Sequence, residues 1–194
     1  VLSCISVNIY TEGKFRLCCI KQNILKDDNG KELTVEDWKD VQSCKTLRDV
    51  RQQMLEGKQP KECSRCFELE KSSPTVMSYR KVSNKRFKEF IQLDQTNLSI
   101  KHLDLRLGNV CNLACRMCSN HSSSKWNKEQ RILSQKLNFV NYSEISNDWT
   151  KSQSVTDFID SHVSTLKDLR FAGGEPTYQS MPIKIMKRLI DIGV

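Results

Sequence analysis

The chain has no long apolar run. No stretch approaches the roughly 20 apolar residues that a membrane-spanning helix needs, so the sequence predicts no helical span. The N-terminus lacks the basic start and apolar core of a secretory signal. No internal repeat or low-complexity tract is present. Cysteine, by contrast, is plentiful: nine in 194 residues. An odd count without a secretory signal argues against a disulfide framework, and cysteine clusters in a reducing compartment more often bind metal or do redox work. The expectation is a cytoplasmic protein of one sizeable domain or two small ones.

The formal charge is +8, from 31 Lys and Arg against 23 Asp and Glu. Such a balance invites a nucleic-acid reading. The basic residues are scattered, however. Lys81, Lys85, Arg86 and Lys88 accompany Phe87, Phe90 and Ile91 in an amphipathic pattern whose solvated face accounts for the charges. Seven cysteine thiolates around two doubly charged iron–sulfur cores would also lower the total to about +5. Nucleic acid is therefore not the expected partner.

The most informative segment is Cys111-Asn112-Leu113-Ala114-Cys115-Arg116-Met117-Cys118. Three thiolates at this spacing can hold three irons of a four-iron cluster, whereas structural clusters close with four. The remaining iron is open, as the fourth position of a catalytic zinc is. Upstream, Leu103, Leu105 and Leu107 alternate with His102, Asp104 and Arg106, a strand pattern over Ile100 to Leu107 ended by Gly108 and Asn109. Leu166 to Ala172 reads as a second strand, ending in Gly173-Gly174-Glu175-Pro176. Taken alone, each motif has a plainer reading: zinc with a distant fourth ligand for the cysteines, an ordinary turn for the glycines.

Strand, Cys-x3-Cys-x2-Cys loop, second strand and Gly-Gly-Glu, in that order, resemble the opening of a radical S-adenosylmethionine (SAM) enzyme. The resemblance implies a 4Fe–4S cluster on Cys111, Cys115 and Cys118, with SAM on the fourth iron. It implies that Gly173, Gly174 and Glu175 meet the methionine end of SAM, and that Met117 lines the adenine through its backbone. One-electron cleavage then yields a 5′-deoxyadenosyl radical that abstracts hydrogen from a substrate, with an electron donor such as flavodoxin or ferredoxin. The family usually has an aromatic residue where Met117 stands.

The N-terminal half carries six more cysteines. Ser6 to Tyr10 and Lys14 to Cys19 alternate around Thr11-Glu12-Gly13, a hairpin signal that brings Cys4 and Cys18 near its base. Thr34 with Asp37 predicts a capped helix start, and Leu47, Val50, Met54 and Leu55 a helix ended by Gly57. Pro60 leads into Cys63-Ser64-Arg65-Cys66, read as a knuckle with two ligands on one loop. Hairpin pair and knuckle pair also describe a zinc ribbon.

Cys4, Gly13-x4-Cys18, the Leu47 to Glu70 stretch and Cys63-x2-Cys66 are similar to the twitch auxiliary-cluster domain, a short relative of SPASM. By that resemblance Cys4, Cys18, Cys63 and Cys66 hold a second 4Fe–4S cluster. Twitch and SPASM domains commonly follow the radical SAM barrel; here the module precedes it. Cys19 and Cys44 are left over, with buried free thiol as the default role.

The predicted architecture is α/β: a cysteine-rich α+β module over residues 1–80, a connecting helix and linker over 81–97, and the start of a partial (β/α)6 TIM-like radical SAM barrel over 98–194. Further helices are expected from about Ser122 to Leu137, around Val155 to Val163, and from Met181 to Ile192, with an irregular Asn138 to Ser152 between the first two. The chain reads as a fragment of the barrel, so apolar edges should be uncovered. The expected function is radical SAM chemistry on a peptide, protein or small molecule; the alternative is a non-catalytic zinc-stabilised binding module.

Overall fold

Alternation of apolar residues about Gly13 produces the hairpin. The structure, a computed structural model, describes residues 5–20, 23–73, 75–90, 99–138 and 141–193. Strand β1 (Ser6–Ile9) pairs antiparallel with β2 (Phe15–Arg16), and Gly13 takes the positive φ of 74° that the turn requires. The capping-box start also forms: Asp37 accepts from the Thr34 backbone and hydroxyl, each at 3.0 Å, before a 3-10 helix over Val35–Asp40. Helix α1 (Lys45–Leu55) follows and stops at Gly57, then α2 (Ser64–Ser72) and α3 (Tyr79–Arg86).

One sequence expectation changes here. Cys63 and Cys66 do not sit on a loop; Cys63 is the N-cap of α2 and Cys66 lies in its first turn. The run from Ser64 to Ser72 is rich in Arg, Glu, Leu and Lys, which favour helix over an open knuckle. The connecting helix is also shorter than predicted, since α3 ends at Arg86 and a 3-10 turn covers Lys88–Phe90. The remainder of the expected connecting segment, residues 91–97, lies outside the described residues.

Strand β3 (His102–Arg106) then leads to the cysteine loop, helix α4 (Asn127–Lys136), helix α5 (Gln153–His162), strand β4 (Asp168–Ala172) and helix α6 (Ser180–Asp191). The fold is mixed α/β around one four-stranded sheet of order β2-β1-β3-β4. β3 pairs in parallel with β4 on one side and with β1 on the other. The N-terminal hairpin and the two later strands thus share a sheet, across the boundary the sequence suggests near residue 80. The reason is the unused hydrogen-bonding edge of β3, which β1 fills. β4 has an open outer edge among the described residues, and Ile183, Met186 and Ile190 of α6 are exposed.

The two sheet faces differ in chemistry. Val7, Ile9, Phe15, Leu103, Leu105, Leu169 and Phe171 point to the hydrophobic core, where Phe158 of α5 stands edge-on to Phe15 at 5.5 Å. The opposite face carries Asn8, Arg16, Asp104 and Arg170 in one cross-strand row. It is buried nonetheless across β1, β2 and β3, with Asp104 at 0% exposure, while Arg170 on β4 is exposed. Helix α3 and the turn after it cover this face: Phe87 stacks on His102 at 5.1 Å and Arg86 pairs with Asp168. Among the described residues no helix is long and apolar enough to cross a membrane.

Candidate functional site

Because β1, β3 and β4 run parallel, the segments leaving their C-terminal ends emerge along one edge of the sheet. These are the hairpin turn, the cysteine loop and the Gly-Gly-Glu turn. This edge is where α/β folds commonly bind ligands.

The Gly-Gly-Glu turn is hydrogen-bonded to the residues that flank the cysteine motif on either side. Gly174 N donates to Ser122 O at 3.0 Å, and Glu175 N donates to Val110 O at 3.0 Å. Buried Gln179 completes the clamp, its Nε2 donating to Val110 O at 3.1 Å and Gly173 O at 3.0 Å. Glycine is required at both positions. A Cβ on Gly173 would meet Gly108 O at 2.8 Å, and one on Gly174 would meet Val110 O at 2.2 Å. Glu175 turns its carboxylate to its own turn, accepting from Thr177 N at 3.2 Å and Thr177 Oγ1 at 2.7 Å. The Thr177 hydroxyl, then its backbone N–H, hold the Glu175 carboxyl below the ordinary range, so it is ionised at neutral pH.

The cysteine loop is braced from its far side. Trp126 Nε1 donates to Cys115 O at 3.0 Å, Ser123 Oγ donates to Leu113 O at 2.6 Å, and Cys111 N donates to Ser124 Oγ at 3.3 Å. Cys111 is buried with its Sγ accepting from Leu113 N at 3.3 Å; Cys118 is half-buried and Cys115 exposed. Met117 is 94% exposed, which leaves its backbone and not its side chain as the feature near the loop. Among the described residues no three His, Cys, Asp or Glu side chains form a group that could hold a metal ion. A cluster of several irons spaces its cysteines more widely than a single ion does. Three thiols on one braced loop are the donor chemistry that such a group takes.

At the second cysteine set, burial first, then Cys18 and Cys66, push the Cys63 thiol up to about 11. Cys18 and Cys66 therefore each lie within electrostatic reach of Cys63. A thiol so raised stays protonated at neutral pH until a metal displaces its proton. Cys4, the fourth residue of this set, lies outside the described residues. Of the two leftover cysteines, Cys44 is buried as expected and burial raises its thiol. Cys19 is only half-buried and faces the Tyr79 hydroxyl, whose ionisation is suppressed by burial and by this contact.

Several site residues carry no motif in the sequence. Asn147, in the stretch expected to be irregular, accepts from Asn109 N at 3.0 Å and donates to Asn109 Oδ1 at 3.2 Å. Trp149 donates to Thr11 O at 2.9 Å and packs on Gly13. These contacts tie the hairpin turn and the cysteine loop to one segment. Replacing Asn147 by alanine leaves both Asn109 groups without these partners, and should lower stability by about 1–3 kcal/mol. A chemical-denaturation midpoint equal to that of the unaltered chain would contradict this. The only forward signal was the Asn/Asp-rich composition around Asn147, which does not name a partner. No protein-family model, curated protein or solved structure matches the chain.

Proposed function

We propose that the chain is a radical SAM enzyme with a second, N-terminal iron–sulfur site. The observation that carries this reading is the hydrogen-bonded clamp from the Gly173-Gly174-Glu175 turn to Val110 and Ser122, the residues flanking the Cys111–Cys118 loop, at the C-terminal ends of two adjacent parallel strands. Two motifs separated by more than fifty residues share one small volume, as one cofactor requires.

In this reading β3 and β4 are the first strands of a partial (β/α)6 barrel, preceded by a twitch-like module. Cys111, Cys115 and Cys118 would hold a 4Fe–4S cluster. Bound there, the cluster supplies the single electron that cleaves SAM to methionine and a 5′-deoxyadenosyl radical. The chain's own residues do the positioning. The ionised Glu175 carboxylate and the second lone pair of the Gly173 carbonyl would accept from the methionine ammonium. Gly173 and Gly174 let the backbone approach, and the Met117 backbone would line the adenine. Cys18, Cys63 and Cys66, with Cys4, would hold the auxiliary cluster. Four ligands would leave it no open iron, which favours electron transfer or bracing over substrate binding. A flavodoxin- or ferredoxin-type donor, a peptide or small-molecule substrate and a cytoplasmic location complete the reading.

Anaerobic reconstitution tests the metal content. The expected result is about eight irons per chain with a brown absorption spectrum. Stoichiometric zinc with about four irons would remove the auxiliary cluster; colourless protein holding only zinc would leave the binding-module alternative.

A further inference from the structure

The edge that holds both motifs also holds a cavity of about 400 Å³ that neither motif explains. Its walls come from all three segments: Tyr10, Glu12 and Arg16 from the hairpin, Arg106 at the end of β3, and Ser122 and Gly173 from the motif loops. The hairpin contributes only because β1 joins the sheet beside β3.

The charges around the cavity are unusual. Arg16 is 9% exposed, and its Nε is buried with no hydrogen-bond partner among the described residues. Arg106 Nε is in the same condition. Both guanidiniums stack on the Tyr10 ring, at 3.7 Å and 4.1 Å from its centroid, which fixes their planes. Against these two cations the wall offers one carboxylate, Glu12, whose Oε2 lies 3.5 Å from Arg16 Nη2 and whose Oε1 lies 3.8 Å from His121 Nδ1. Asp104, which is outside the cavity wall and fully buried, lies 3.9 Å from Arg170, and neither of its carboxylate oxygens has a hydrogen-bond partner among the described residues. A buried donor without an acceptor is costly, and a buried cation without a counter-charge more so. Glu12 Oε2 is likewise buried without a hydrogen-bond partner among the described residues. The two guanidiniums that line the cavity still carry one positive charge in excess of Glu12, the one carboxylate of the wall, and this excess calls for an anion.

The wall also selects which anion. Guanidinium forks match a planar carboxylate, and Glu12 in the same wall opposes a doubly charged phosphate. We propose that this cavity binds a carboxylate of the substrate, held by Arg16 and Arg106. That the carboxylate is the substrate's rests on the proposed function, in which the SAM carboxylate goes to iron. The carboxylate site itself rests on the two guanidiniums alone.

N-acetylglycine and its neutral isostere N-acetylglycinamide test the site by NMR titration of the full reconstituted chain. The acid should bind saturably, shifting the amides of Thr11 and Ser122, and the amide should bind at least about tenfold more weakly. Arg16→Gln and Arg106→Gln should each weaken the acid by about tenfold or more, with SAM affinity unchanged. Arg16→Lys, which keeps the charge, should retain part of the binding. Equal binding of acid and amide by the unaltered chain overturns the proposal without depending on any variant's folding. Displacement of the acid by SAM, with parallel loss of SAM binding in both Gln variants, overturns the substrate assignment. A chain that makes no 5′-deoxyadenosine yet prefers the acid refutes the proposed function and upholds the carboxylate site; the reverse pattern does the opposite.

Discussion

With a reductant and SAM, the reconstituted chain should form 5′-deoxyadenosine, and the Cys111→Ala, Cys115→Ala, Cys118→Ala triple variant should form none above background. In the proposed reading each thiol would occupy one iron, so the loss would be of the cluster itself and not of one contact within it. Iron should fall from about eight to about four per chain, because the other cysteine set lies elsewhere in the fold. The variant should still fold. Cys115 is exposed and Cys118 half-buried, and their removal disturbs little packing. Cys111 is buried, and alanine there loses the contact from Leu113 N to its Sγ; the other braces of the loop run through backbone groups that alanine retains, among them Cys115 O to Trp126 and Cys111 N to Ser124. Equal 5′-deoxyadenosine from variant and parent would end the enzyme reading, since the thiols would then have no part in the chemistry.

Gly174→Ala should be the most damaging single substitution at the site. At φ +58° an L-residue is in the left-handed region, which costs about 1–2 kcal/mol. The added Cβ would also lie 2.2 Å from Val110 O and 2.5 Å from Gln179 Nε2. Val110 O cannot withdraw freely, because Glu175 N and Gln179 both donate to it. Forcing those groups apart adds about 1–3 kcal/mol. The expected total is about 2–5 kcal/mol, read as a lowered denaturation midpoint, together with weaker SAM binding as the clamp opens. Gly57→Ala separates the two causes. Gly57 has φ +73° but nothing within 4 Å of an added Cβ, so only the backbone cost of about 1 kcal/mol should appear there. Similar losses at both glycines would show that the close approach to Val110 O carries no energy.

Much of the local structure was legible in the residues. The period-two patterns of Ser6–Tyr10, Ile100–Leu107 and Leu166–Ala172 became β1, β3 and β4, and the spacing of Val155, Phe158 and Ile159 became the core face of α5. Glycines at 13 and 57 ended elements where expected. Cys63-x2-Cys66 opens a helix and not a loop, because the helix formers that follow decide the backbone there. The Asn138 to Ser152 stretch had no period to read. Its structural value lies in single contacts, Asn147 to Asn109 and Trp149 to Thr11, that no periodicity encodes.

By itself, the sequence determined which residues form strands and helices, and which two short motifs can carry cofactor chemistry, because periodicity, capping and ligand spacing act over a few residues. Only the tertiary structure decided that β1 lies beside β3, that the Gly-Gly-Glu turn docks on the cysteine loop, and that Arg16 and Arg106 face one cavity across Tyr10. Those outcomes depend on strand order and on burial of a polar sheet face beneath α3. Both are set by interactions between residues tens of positions apart, where no local pattern reaches.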